Sequence, residues 1–322
     1  MKLKRIVFSL VAIIIIVLSA LFTLRADKEL SRIVNRYNGI YFSEDNLISL
    51  YSYHGKESFS ENVEEITDFI EKCPLEVYVA VPPRKMDVLK KFLPEQFPFG
   101  VANNFFDTIK ESASNYIDLY SLLFNKSEYA GHLYFKTDHH WTSDGAYLAY
   151  CEIISALGKE PIKEESFEKE LFTDTYRGSD WSKLKKDELF DSIYLYYHES
   201  FSDMKVTQVS FPFDSEENNS VQPSFYLTDR KNSYDPYTVY FGGNSAYIRI
   251  ENGKEREKLL VIRDSFASAL APFLACHYDL VLIDPRFYPE RISKAIEREK
   301  PDKVLIVENM GSFTENTIKI TY

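Results

Sequence analysis

The chain has little cysteine: three among 322 residues, Cys73, Cys151 and Cys276, with no CxxC pair. An odd, scattered set supplies no disulfide framework, and the missing pair removes a cysteine zinc site. Each of the three sits in an apolar stretch, where a thiol packs as a small hydrophobe. Basic residues are outnumbered as well, with 38 Lys and Arg against 49 Asp and Glu and a net charge of −11. Phosphate binding needs a basic surface, so nucleic acid is excluded as a partner. Close adsorption to anionic lipid is disfavoured for the same reason, and a neutral or cationic polymer, or a small uncharged group, fits better. No Pro/Gly/Ser-rich linker and no internal repeat occur after residue 37, so this part reads as one domain carrying an insertion. Nothing in the sequence requires a cofactor.

What is present begins at the N-terminus. Lys2, Lys4 and Arg5 precede an unbroken apolar run, Ile6 to Leu24, about long enough to cross a bilayer core as a helix. Basic residues ahead of it favour a cytoplasmic start. The expected organisation is a cytoplasmic tail (1–5), a transmembrane signal anchor (6–24), a polar juxtamembrane linker (25–37) and an extracytoplasmic domain (38–322). A cleaved signal peptide is the rival, but the run is long for one and Ala20 gives a poor cleavage context. Aromatic residues reach 15%, with 23 Tyr and 24 Phe. They fill a core or line a carbohydrate groove, and packing is the commoner use of such area.

Periodicity predicts a helix over 60–72 capped by Ser60, a buried strand over 77–81, a helical stretch over 85–93, and a helix over 143–157 capped by Thr142 or Ser143. The last third alternates strictly: strand 259–262, helix 266–276, strand 280–283, a helix opened by Pro289 and running to Glu299, and strand 304–307. Such alternation implies an α/β fold, a mostly parallel sheet flanked by helices. Between about 185 and 250 the pattern changes. Tyr-rich stretches such as 192–197 and 236–241 suggest antiparallel strands inserted into the sheet or extending it.

Two constellations carry chemistry. Thr137-Asp138-His139-His140-Trp141-Thr142-Ser143 places two of the six histidines beside an aspartate, just before a helix. A histidine base needs a carboxylate to fix its tautomer. In an extended loop an Asp two residues away faces the same side as the His, which favours Asp138–His140 over Asp138–His139. A metal is the competing reading, since Asp138, His139 and His140 suit zinc or manganese, but no further His cluster completes a site. The second constellation, Arg263-Asp264-Ser265-Phe266, lies where a buried strand gives way to a helix. A serine there sits at the carboxyl edge of the sheet, beside backbone N–H groups that can hold an oxyanion. Alone it is a helix cap, whereas with a histidine base it becomes a nucleophile.

These residues resemble the DHHW family of Gram-positive surface proteins, itself similar to the alginate O-acetyltransferases, a branch of SGNH hydrolase-like folds. The likeness rests on Tyr134–Thr142, on Phe241-Gly242-Gly243-Asn244, on Arg263–Ala267 with Pro272-Phe273-Leu274, and on Ile283–Tyr288. The resemblance implies an SGNH-like domain with Asp138, His140 and Ser265 as acid, base and nucleophile. It also implies Gly243 and Asn244 as oxyanion donors, equally readable as a strand turn. Arg286, Arg84 and Trp141 are candidate substrate contacts, and Gly178-Ser179 a candidate neighbouring loop. The expected function is acetyl transfer to a cell-envelope polysaccharide, with a membrane-bound acyltransferase as possible donor. A glycan acetylesterase, a metal-dependent hydrolase and a non-catalytic glycan-binding or assembly protein stay open.

Overall fold

The computed structural model describes residues 18, 25–26, 28–34, 36–43, 45–51, 57–95, 97–98, 100–126, 132–209, 211, 219–222, 224–253, 255–315 and 318–322. The expected anchor, 6–24, lies outside the described residues except for Leu18. Among the described residues no helix is long and apolar enough to cross a membrane. The stretch expected as a juxtamembrane linker, 25–37, is helical at 28–34 and buries Leu30 and Ile33 in the main core.

An N-terminal hairpin pairs β1 (Ile40–Ser43) with β2 (Asn46–Ser49). The central sheet begins with β3 (Glu76–Ala80) and β4 (Tyr116–Ile117). A second hairpin, β5 (Glu168–Tyr176) with β6 (Asp191–Tyr197), stands apart from it. The central sheet then continues with β7 (Lys205–Gln208), β8 (Ser220–Gln222), β9 (Tyr247–Glu251), β10 (Lys258–Arg263), β11 (Asp279–Ile283) and β12 (Lys303–Val307). Its order is β4-β3-β12-β10-β11-β9-β7-β8. The five strands from β4 to β11 run parallel, while β9, β7 and β8 extend the sheet antiparallel.

The sequence explains this division. Leu259–Ile262, Leu280–Ile283 and Val304–Val307 are continuous apolar runs, each residue at most 1% exposed. A strand covered by helices on both faces reads this way. The nine residues of the Ala267–Ala275 helix are all buried, and it packs against the Ser143–Ala156 helix. Gly145 lets the start of the second helix close on the chain that precedes it: a Cβ added there would lie 2.3 Å from the Leu133 carbonyl oxygen. Thr142 caps the second helix, its Oγ1 accepting from the Gly145 N–H at 3.2 Å.

Two expectations need correction. The 192–197 stretch is a strand, but it belongs to the separate β5–β6 hairpin. The 236–241 stretch is no strand at all. Pro236–Val239 forms a 3-10 turn, capped by Asp235 and opened by a proline that lacks the donor a ladder needs. Smaller shifts occur at helix starts. The helix expected over 60–72 spans Glu57–Lys72, so Ser60 lies inside it, and the late helix begins at Ile292, three residues after Pro289.

Candidate active site

Parallel strands present all their carboxyl ends on one side, and the chemistry collects there. Asp264-Ser265 follows β10, Asp284–Arg286 follows β11, Glu308-Asn309 follows β12, and Arg84-Lys85 lies just beyond β3. Ser265, Arg286, Asn309, Arg84 and Lys85 line one cavity of about 300 Å³.

The two-histidine loop is folded over this edge and held from several directions. Tyr134 and Trp141 bridge its base, and Phe135 N–H donates to the His140 carbonyl at 3.2 Å. Asp191, at the start of β6, accepts from the N–H groups of Lys136 and Thr137, each at 2.7 Å. The Lys85 ammonium, 3% exposed, donates to the carbonyls of Leu47, Lys136 and Asp138 and to the Asp180 carboxylate. Trp141 is fully buried, and its Nε1–H donates to the Phe266 carbonyl at 2.9 Å. Trp141 therefore fastens the histidine loop to the serine loop. It cannot meet substrate, which corrects its sequence-based assignment.

Held this way, His140 Nε2 lies 2.8 Å from Ser265 Oγ, and His140 Nδ1 lies 2.6 Å from Asp138 Oδ1. Asp138 is buried. Burial opposes its ionisation, but the neighbouring histidine rings and the hydrogen bonds from His140 and the Ser179 N–H prevail, holding it well below the usual carboxylate range. An ionised carboxylate only accepts, so Nδ1 carries the proton and Nε2 faces the serine with its lone pair. The ring is stacked on Tyr237, centroids 4.2 Å apart at 12°. His139 turns aside and meets Ser179 Oγ at 2.6 Å. Gly178-Ser179 is thus the neighbouring loop that was expected. A Cβ on Gly178 would sit 2.2 Å from the Asp138 Cβ, so only glycine permits this approach.

Asp264 supports the nucleophile. It accepts from Phe266 N–H (2.9 Å), Asn309 N–H (2.8 Å) and Ser312 Oγ (2.9 Å). Burial raises its pKa against these bonds. The neighbouring Glu308 is raised well above the usual range, first by burial and then by Asp264 and Asp284.

The remaining sequence candidates divide. Arg286 opens on the cavity, yet its Nε and Nη2 are committed to Asp284 at 2.9 and 2.6 Å. Arg84 also lines it and bonds to Asp87. Gly243 and Asn244 do not line this cavity, and Gly242 and Gly243, at φ 78° and 108°, serve the turn entering β9. The sequence reading missed Asn309. Its Oδ1 accepts from the N–H groups of Gly311 (2.5 Å) and Ser312 (3.2 Å), which fixes the amide, and its Nδ2 donates to no described group. An Asn directly after a buried strand, in Glu308-Asn309-Met310-Gly311, was the available signal.

Ligand atoms of Asp138, His139 and His140 lie within 4.8 Å of one another, so these residues could approach a metal. Both Asp138 oxygens and the His140 Nδ1 are already engaged with one another and with Ser179.

The sequence profile of the DHHW proteins matches residues 108–283, more than half of the chain. The chain belongs to the DHHW family. No curated protein matches it. Among solved structures, a DHHW family protein from Eubacterium siraeum shares 19% identity at a TM-score of 0.73, over 87% of this chain and 94% of that one. Bacillus cereus PatB1 carrying a sulfonyl adduct shares 21% at 0.71, over 88% and 98%. The O-acetyltransferase domain of Pseudomonas putida AlgJ shares 15% at 0.51, over 86% and 93%. At these identities the likeness shows a common α/β fold between this family member and the three.

Proposed function

We propose that the chain is a serine-dependent O-acetyltransferase, with an acetyl-serine on Ser265 and a cell-envelope polysaccharide hydroxyl as acceptor. The observation that carries this reading is the contact between His140 Nε2 and Ser265 Oγ at 2.8 Å, with Asp138 behind the ring. His140 takes the serine proton as Oγ attacks the acetyl carbonyl. The Ser265 N–H, which donates to no described group, and Asn309 Nδ2 receive the oxyanion. His140 then protonates the leaving alcohol. The second half reverses these steps with a glycan hydroxyl. Water in its place would make the same site an esterase.

The comparisons support the choice without extending to mechanism: one similar structure is an O-acetyltransferase domain, and another carries a sulfonyl adduct. The tether we assign to residues 6–24, with the domain outside the membrane and a membrane-bound acyltransferase supplying acetyl groups. Protease shaving of intact cells tests that topology. The catalytic proposal is tested by turnover of a chromogenic acetyl ester. Ser265→Ala should lose at least about 10³-fold, since removing one member disables a triad as a unit. Retained turnover in that variant, together with loss on adding chelator, would favour the metal reading of Asp138, His139 and His140.

A further inference from the structure

We infer that the acceptor sugar binds in a second cavity, of about 490 Å³, lined by His140, Arg177, Trp181, Ser182, Tyr234 and Asp235; this rests on the acyl-serine reading above. The volume is in the range of small-molecule sites. Both cavities border His139 and Ser179, so they adjoin at the reacting centre. They differ in what they reach. The first opens on Ser265 and not on His140, whereas the second opens on His140 and not on Ser265. An acetyl donor must meet the nucleophile. An incoming hydroxyl must meet the base and the acetyl carbon on Ser265, and the border shared at His139 and Ser179 opens the second cavity toward the first, where that carbon lies.

The lining names the chemical class. Tyr234 is 100% exposed, a whole aromatic face left in water at the cavity rim. Trp181 lies beneath the Arg177 guanidinium, 4.8 Å from its ring centre. The Phe190 ring lies against the same guanidinium at 4.3 Å, and the Arg177 Nη2 donates to the Asp187 carbonyl, so the group is held in place at the cavity wall. Asp235 contributes a carboxylate and Ser182 a hydroxyl. Aromatic faces cover the C–H face of a sugar ring, while planar guanidinium and carboxylate groups take paired hydroxyls. The lining sets two carboxylates, Asp138 and Asp235, against one guanidinium, on a chain of net charge −11, so the site disfavours an acidic sugar and takes a neutral one.

The sequence ties this rim to the base. Asp235 Oδ1 accepts from the Tyr237 N–H at 3.0 Å, and the Tyr237 ring stacks on His140. A sugar on Tyr234 and Asp235 is therefore held in a fixed relation to the imidazole. In the transfer step the sugar oxygen bonds to the acetyl carbon and its proton passes to His140 Nε2. The bond from that carbon to Ser265 Oγ then breaks, and His140 returns the proton to Oγ.

The test uses the full chain. Ser265→Ala, which cannot turn over, is titrated with chitopentaose while tryptophan fluorescence is followed; of the two tryptophans, Trp141 is buried and Trp181 borders the cavity. Saturable binding is expected, with Kd raised about tenfold by adding Tyr234→Ala or Asp235→Asn. In the catalytically intact protein, with 4-nitrophenyl acetate as donor, Tyr234→Ala should raise the acceptor KM by about the same factor and lower the ratio of transfer to hydrolysis. No saturable binding, a Kd unmoved by both substitutions, or tighter binding of a galacturonic acid oligomer would overturn the inference. Binding weakened by the substitutions in a protein that never transfers acetyl would support the sugar site while sinking the acyl-serine reading. Acetyl-serine formation without sugar binding would do the reverse.

Discussion

His140 Nε2 and Ser265 Oγ lie 2.8 Å apart across 125 residues of chain. The adjacent His139 ring, with its centroid only 3.8 Å from that of His140, faces Ser179 instead. The two neighbours therefore differ in role. His140→Ala should lower kcat/KM for 4-nitrophenyl acetate by at least about 10³-fold, and His139→Ala by less than about tenfold. Equal losses would show that the wrong ring has been assigned as base.

Asn309 follows β12 and lines the cavity, its amide fixed by two backbone donors on Oδ1. Losing one oxyanion donor costs about 10²–10³ in kcat. Asn309→Ala should show a fall of that size in ester turnover with KM changing far less. A loss confined to KM would make Asn309 a binding residue only.

Lys85 binds three carbonyls and one carboxylate in a site shut off from solvent. Lys85→Met takes from the buried Asp180 its nearer cation and leaves only Lys183 at 3.8 Å, a change that costs up to about 3–5 kcal/mol. A fall in Tm on the order of 10 °C should follow. Where the variant remains folded, kcat should drop because the Asp138 carbonyl is no longer tied down. Full activity and an unchanged Tm would show that the other contacts hold the loop unaided.

How much of this was legible in the sequence depended on distance along the chain. Asp138 and His140 are two residues apart, so local geometry alone paired them, and the runs 259–262, 280–283 and 304–307 declared buried parallel strands. Asn309 escaped because its role arises only when several strand ends meet. Trp141 misled because its neighbours carry chemistry, while its own ring is spent on packing. The Tyr-rich stretches misled in another way: alternation marks a strand, but partner choice is tertiary. Thus β6 paired with β5, and Pro236 forced a turn.

Glu308 is held well above its ordinary value of 4.5, chiefly by burial. The folded chain keeps this proton where the unfolded chain releases it. The stability so gained is complete below about pH 4.5 and is lost as pH rises toward the folded value. Glu308→Gln cannot titrate. Its Tm should therefore gain on that of the parent between pH 5 and pH 8. A difference that stays constant across this interval would place the charge elsewhere.

The central claim is a covalent acetyl group on one hydroxyl, and mass spectrometry of the protein quenched during turnover of an acetyl ester reads it directly. The account predicts one added acetyl on the peptide containing Ser265, absent in Ser265→Ala and removed when an acceptor sugar is supplied. An acetyl group on another residue, or turnover with none on the protein, would contradict it.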